Sequence, residues 1–467
     1  MSAICTLLAA SFEIVRRNRI RKKSLRASGP LDMHDVVVCK PGIRALMLEI
    51  PRVNSRKHSL CRAFTASTHY TTILTSRTES CKVHVFFRHG DRTPTPVGRP
   101  KNRSDMWSSR VQEVPLPLRN GKFFRQKYPW GNLTTKGAQQ ARDLGAWLRE
   151  HYVPQFSNPV GKVRLQEAPE KFISLRTTSF LRTNLTAWFL LEGLLESPDD
   201  VASIPFICRE EKDENLYHND EHCPRLWLKW EQAWVTIQKA TTSDGMNWRE
   251  RFQDMQAAMA RELELNLDDP GFLLSMDGPG FPWITAVDTL ECGRCHGDAL
   301  PAGISVEKLT AVRTHLARDY AVTFQDRDVL QLSIGRLVRE LKEALLDRVN
   351  TEAQSTSDRP SLFLYSGHDA TIMPLSVALG LPWTEWPGYT SSICVELWRG
   401  ADGEGGHAVR VLFDREEVAL PISRDGSAPK KVLSFHEFLE IAEWSSLSET
   451  DFSSRCQDGA EIADTHE

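Results

Sequence analysis

Arg88, His89 and Arg92 fall within five consecutive residues, and His368 and Asp369 stand side by side further along the chain. Guanidinium groups are planar, permanently charged forks that fit the oxygens of phosphates and carboxylates, so two of them flanking an imidazole describe an anion pocket. Each group sits where an apolar run stops. Val83, Val85, Phe86 and Phe87 lead into Arg88, and Leu362, Phe363, Leu364 and Tyr365 lead through Gly367 into His368. Such runs read as buried strands that deliver polar residues at their carboxyl ends, the edge of an α/β sheet at which ligands bind. Gly90 and Gly367 let the backbone turn sharply there.

The elements needed to position these ends are legible nearby. Gly131–Gly137 opens a helix in which Thr134 or Thr135 can cap and Ala138, Ala141, Leu144 and Leu148 recur at helical spacing. Phe172–Leu175 reads as a further strand ending in Arg176, followed by a helix through Leu181, Leu185, Trp188, Phe189 and Leu194. An arginine between a strand and a helix N-terminus is well placed to meet an anion. From about residue 199 to 350 the texture changes to amphipathic helices. Trp227, Trp230 and Trp234 form one stripe, and Leu330, Ile334, Leu337 and Leu341 another, both more suited to packing than to binding.

The string Arg88-His-Gly-Asp-Arg-Thr-Pro94, with His368-Asp369 after a later strand, resembles the signature of the histidine acid phosphatases. The resemblance covers residues 81 to 440 and is sparse in the middle. It implies an α/β three-layer sandwich with a mainly parallel sheet, like that of phosphoglycerate mutase, plus an inserted helical cap. It further implies that His89 is the nucleophile that forms a phosphohistidine and Asp369 the general acid. Arg88, Arg92, Arg176 and His368 would then grip the phosphoryl group; Arg182 matches the family pattern as a second arginine after Arg176. An unperturbed Asp titrates near about 3.9, so a proton on Asp369 is expected to be most available in acid. No metal or other cofactor is demanded, because side chains supply the positive charge. The expected partner is a small phosphomonoester. The lysophosphatidic acid phosphatase subgroup is the nearest resemblance, which would make the substrate a lysophospholipid, while phytases share the signature. A mutase-like isomerase and a non-catalytic binder of phosphorylated ligands are the alternatives.

With 467 residues, 41% hydrophobic and 25% charged, the chain has the length and composition of a soluble enzyme of two or three domains. No apolar run reaches the roughly 18 residues that a membrane-spanning helix needs. The net charge of −3 is unevenly spread: residues 1–80 hold 14 Lys or Arg against five Asp or Glu. That basic leader suits an address label rather than a nucleic-acid footprint. Its cluster from Arg16 to Arg26 follows the apolar run instead of preceding it, which favours an organellar transit segment over a secretory signal; an extension without structure fits as well. The expected organisation is therefore a basic extension (1–80), a first core part (81–200), a helical cap (201–355), a second core part (356–440) and a polar tail (441–467). Ten cysteines are too few for a disulfide scaffold. Cys292-Gly-Arg-Cys-His296 satisfies the string for c-type haem attachment, but it has no evident axial partner and resembles a cap segment of the same phosphatases, so structural thiols or a disulfide are expected instead. Zinc held by this group with Cys208, Cys223, His218 or His222 is a weaker alternative. Oligomeric state is left open.

Overall fold

Strand β1 (Thr78–Arg88) is buried on both faces from Lys82 to Arg88, and its side chains divide between two cores. Val83, Val85 and Phe87 point into one, while Phe86 points into the other, as the two-residue period of a strand requires. The computed structural model describes residues 78–95, 103–119, 128–156, 168–239, 245–263, 281–351, 360–381, 385–400, 406–421 and 428–457. The basic extension, apart from its last three residues, and the targeting segment expected within it lie outside the described residues. Strand β1 itself begins within the expected basic extension.

Seven further strands complete the sheet: β2 (Ile173–Thr177), β3 (Phe206–Cys208), β4 (Leu362–Gly367), β5 (Ser392–Gly400), β6 (His407–Phe413), β7 (Glu416–Glu417) and β8 (Val432–Ser434). Their order is β3-β2-β4-β1-β5-β6-β7, with β8 also paired to β6. Strands β3, β2, β4 and β1 run parallel, whereas β5 to β8 pair antiparallel. The sheet is thus mixed, which corrects the expectation of a mainly parallel one. The reason is local: β5 ends at Gly400 and β6 starts at His407, too short a link for the crossover that parallel neighbours need.

Helices α1 (Thr135–Phe156) and α2 (Leu181–Leu195) cover one face, with Ala138, Leu144, Leu148, Leu185 and Leu190 buried against Val83, Val85 and Leu364. The other face is covered from further along the chain. There lie α3 (Pro224–Lys239), then, after α4 (Trp283–Cys295) and α5 (Val306–Thr323), α6 (Arg327–Thr351), α7 (Asp369–Leu379), α8 (Phe435–Ser445) and α9 (Glu449–Gln457). The leucine stripe of α6 packs on Phe86, Ile393 and Val395, so this helix is a layer of the sandwich, although it falls within the segment expected to form the cap. A smaller core joins helices Trp248–Arg251 and Gln253–Glu262 to α4 and α5 through Trp248, Met259, Trp283, Leu290, Leu309 and Leu316.

Residues 441–457 are not a polar tail. Phe452 and Cys456, four residues apart on one face of α9, are buried in the main core, and Cys456 is disulfide-bonded to Cys223 at the start of α3. Arg336 of α6 stacks on the Phe452 ring at 3.8 Å and pairs with Glu449 at 3.2 Å. The polar surface of α9 conceals two anchor positions in a short element. The bond closes a loop of 233 residues, so Cys456→Ala should cost about 2–5 kcal/mol of unfolding free energy. Chemical denaturation of the oxidised protein measures this; an unchanged midpoint would mean that the disulfide contributes nothing to stability.

Candidate active site

The parallel register of β1 on β4 sets Arg88 opposite Gly367, so the residues that follow, His89 and His368, emerge together. Their ring centroids are 5.6 Å apart, edge to face. Gly90 then turns against Gly137 at the start of α1, where a Cβ on Gly90 would lie 2.4 Å from the Gly137 carbonyl oxygen. The Gly90 N–H donates to Oγ1 of Thr186. This clamp aims the His89 ring. Its Nδ1 lies 2.8 Å from the Gly90 carbonyl oxygen, which can only accept, so Nδ1 carries the proton and Nε2 presents a lone pair. Burial, reinforced by Arg182, Arg88, Arg92 and His368, holds the imidazole well below its usual range. His89 is therefore neutral, and able to attack, well into acid.

Three guanidiniums surround it. Arg88 donates to the Pro387 carbonyl at 2.6 Å, forms an ion pair with Oδ2 of Asp369 at 3.0 Å, and lies 4.6 Å over the Tyr389 ring. Arg92 is gripped by both carboxylate oxygens of Asp288, at 3.0 Å each. The third is Arg182, in the first turn of α2, 3.4 Å from Nδ1 of His368 and 4.3 Å over the Phe180 ring. Burial, with Arg92 beside it, pulls this guanidinium down to about 9, and no carboxylate among the described residues pairs with it.

Arg176, expected here, lies elsewhere. Ile173 and Leu175 of β2 face α1 and α2, so by strand alternation Arg176 faces α6. It donates there to Glu214 at 2.6 Å and to Glu340 at 3.0 Å, and it also binds Asn215. The helical spacing of Arg182 was visible in the sequence, but the contact that ties it to the site was not. Arg182 and Thr186 are four residues apart on one helical face, and Thr186 holds Gly90.

His368 caps α7 and is fixed by Thr178, 3.0 Å from its Nε2. Burial and the neighbouring Arg182 keep it neutral, against the pull of Asp369. Asp369 follows in the first turn. Oδ1 accepts from the Ala370 N–H and Oδ2 from Nε1 of Trp386, while Arg88 pairs with Oδ2 as an ion pair, all at 3.0 Å. Burial alone would raise its pKa, but Arg88, the Trp386 hydrogen bond, Arg92 and His368 outweigh it and hold the carboxyl well below the usual range.

Helix α4 reaches down onto the motif. Besides Asp288 on Arg92, His296 just past its end lies 2.6 Å from Oδ2 of Asp91, an oxygen also bound by Thr134. Cys292 and Cys295 are free; Cys292 is buried, 3.4 Å from the Tyr389 hydroxyl, and burial pushes its thiol up. Among the described residues no group of three or more His, Cys, Asp and Glu could hold a metal ion. A cavity of about 410 Å³ opens beside Arg88, Arg92 and Asp369, walled by Ile284, Val287, Leu316, Tyr320, Met373 and Trp386. The arrangement can bind a phosphoryl group, attack it from Nε2 and move a proton at Asp369.

Residues 81–277 and 325–414 match the model of the histidine phosphatase superfamily (branch 2). Lysophosphatidic acid phosphatase type 6 of Bos taurus is 26% identical over 368 residues, spanning 72% of this chain and 78% of the relative. Lysosomal acid phosphatase of Rattus norvegicus is 26% identical over 404 residues, spanning 82% and 81%. Among solved structures, Hafnia alvei phytase in complex with myo-inositol hexakis sulphate matches with a TM-score of 0.54 at 17% identity, covering 80% of this chain and 98% of that one, a likeness of fold.

The two arginines are separable by experiment. Because the pKa of Arg182 in the folded chain lies below that of an exposed guanidinium, its charge costs stability at every pH under about 9, and a bound anion relieves that cost. Arg182→Met should therefore stabilise the free protein and abolish most of the thermal shift produced by phosphate, while lowering kcat/KM by about 10²–10³-fold. Arg176→Met should instead cost about 3–5 kcal/mol of stability, by leaving Glu214 buried and uncompensated, with kcat/KM changed by less than about threefold. Thermal melts with and without phosphate, paired with kinetics, measure both. The reverse pattern would put Arg176 in the site.

Proposed function

We propose that this chain, which belongs to branch 2 of the histidine phosphatase superfamily and is a phosphoric monoester hydrolase, works through a phosphohistidine on His89. The observation that carries the reading is a buried, neutral imidazole with Nε2 free, placed among three guanidiniums. The phosphoryl oxygens are held by Arg88, Arg92, Arg182 and His368. Nε2 of His89 attacks phosphorus as the ester P–O bond breaks, and Asp369 gives its proton to the departing oxygen. Water then attacks the phosphohistidine. Asp369, now a carboxylate, takes the proton of that water, and His89 leaves with its lone pair restored.

The source of the proton differs from the sequence-based expectation. In the resting site Asp369 is tied to Arg88 and stays ionised through the acid range, so acid operation does not come from an Asp that titrates near its ordinary value. A phosphate monoester loses its second proton near about pH 6, and the monoanion can bring the missing proton in with it. Its oxygens take over Arg88, which frees Asp369 to accept that proton. His89, held neutral by burial, remains competent at the same pH.

The smaller core of α4 and α5 acts as a cap over the carboxyl ends of the parallel strands and supplies much of the cavity wall. That wall is largely apolar, and the charged side chains within it, Asp288, Glu291, Arg294 and Arg313, are paired with one another or with Arg92. The apolar part of the wall suits a monophosphate with an apolar body. The relatives named lysophosphatidic acid phosphatase support a lysophospholipid of that kind.

A basic alkoxide cannot leave unprotonated, whereas a nitrophenolate nearly can. Asp369→Asn should slow an alkyl phosphate by about 10²–10⁴-fold and p-nitrophenyl phosphate by less than about tenfold. Equal losses would remove Asp369 as the acid. In the wild type, kcat/KM should fall above about pH 6 and follow the second pKa of the substrate from one ester to the next. A limb independent of the ester would contradict the route proposed for the proton.

A further inference from the structure

Trp386 touches both halves of the reaction centre. Its indole Nε1 donates to Oδ2 of Asp369 at 3.0 Å, the same oxygen that Arg88 holds at 3.0 Å. The next residue, Pro387, accepts from the other terminal nitrogen of Arg88 at 2.6 Å. Two consecutive residues ahead of β5 thus brace the carboxylate and the guanidinium against one another. The ring also lies edge-on to Tyr320 of α5, with centroids 5.3 Å apart, and packs against both the main core and the smaller one. It walls the cavity beside the carboxylate that it holds.

The consequence follows from counting the partners of Oδ2. In the resting site an ion pair with Arg88 and a hydrogen bond from Trp386 fix this oxygen. A phosphoryl group that takes over Arg88 leaves the indole as the one side-chain donor to Oδ2 among the described residues. A first-turn Asp with a single backbone contact on Oδ1 can turn about its side-chain bonds, and its proton would then no longer point at the departing oxygen. We infer that Trp386 is the positioning residue of the proton donor: its N–H keeps Asp369 aimed while the substrate occupies Arg88, and its ring sets the wall against which the leaving group lies. This inference rests on Asp369 being the general acid.

The N–H and the ring can be separated by replacing Trp386 with Phe, and independently with genetically encoded 3-benzothienylalanine, which keeps the bicyclic shape and lacks the N–H. Both variants should lose about tenfold to a hundredfold in kcat on an alkyl phosphate, the scale of one hydrogen bond to a charged group, with KM little changed. On p-nitrophenyl phosphate each should lose less than about threefold. In an Asp369→Asn background, Trp386→Phe should produce no further change in the ratio of the two substrates, as expected for residues acting through one group. Equal losses on both substrates in the two Trp386 variants, with Asp369→Asn alone still selective, would overturn the positioning role and leave a wall only. A benzothienyl variant with the wild-type ratio would do the same. If Asp369→Asn alone shows no selectivity, the failure lies in the assignment of the acid, and the inference falls with it.

Discussion

Three guanidiniums packed around one neutral imidazole are a repulsive arrangement that the rest of the fold must hold together. Two have carboxylate partners: Arg88 with Asp369 and Arg92 with Asp288. Arg182 has none among the described residues, and its charge is the one most weakened by burial. Such a site is at its least comfortable when empty. A phosphoryl group brings the missing negative charge, so binding relieves an electrostatic cost carried by the folded chain rather than relying on contacts alone.

What confines the cations is sheet register and glycine contact. The pairing of Arg88 with Gly367 brings the two histidines together, and the close approach of Gly90 to Gly137 turns the chain so that Nδ1 of His89 meets its own neighbour's carbonyl. Neither device involves a catalytic side chain. Helix α4 then closes the site from the far side of the chain, with Asp288 on Arg92 and His296 on Asp91. Helix α4 is thereby coupled to the motif through polar contacts, which penalise loss of either partner more than they stabilise the pair.

The sequence made the strand ends at Arg88 and His368 legible because apolar runs terminating in charge are a local pattern. It also displayed the leucine stripe of α6, and the His89, His368 and Asp369 positions follow directly from those ends. Arg176 was misplaced because composition identifies an arginine between strand and helix but does not say which face of the strand it takes; alternation with Leu175 decides that, and Glu340 on α6 completes it. The antiparallel half of the sheet follows from the short link between β5 and β6, whereas the docking of α9 depends on a long-range partner, Cys223. Asp288 and Trp386 act across 196 and 17 residues respectively, and no local pattern announces which side chain will meet them.

The central claim is covalent catalysis at His89. Rapid acid-free quenching of the enzyme with a phosphorus-labelled monoester, followed by peptide mapping, should recover acid-labile, base-stable phosphate on His89, formed at least as fast as turnover. Label on a serine, cysteine or another histidine, or sustained turnover with no phosphorylated enzyme formed at that rate, would contradict the account.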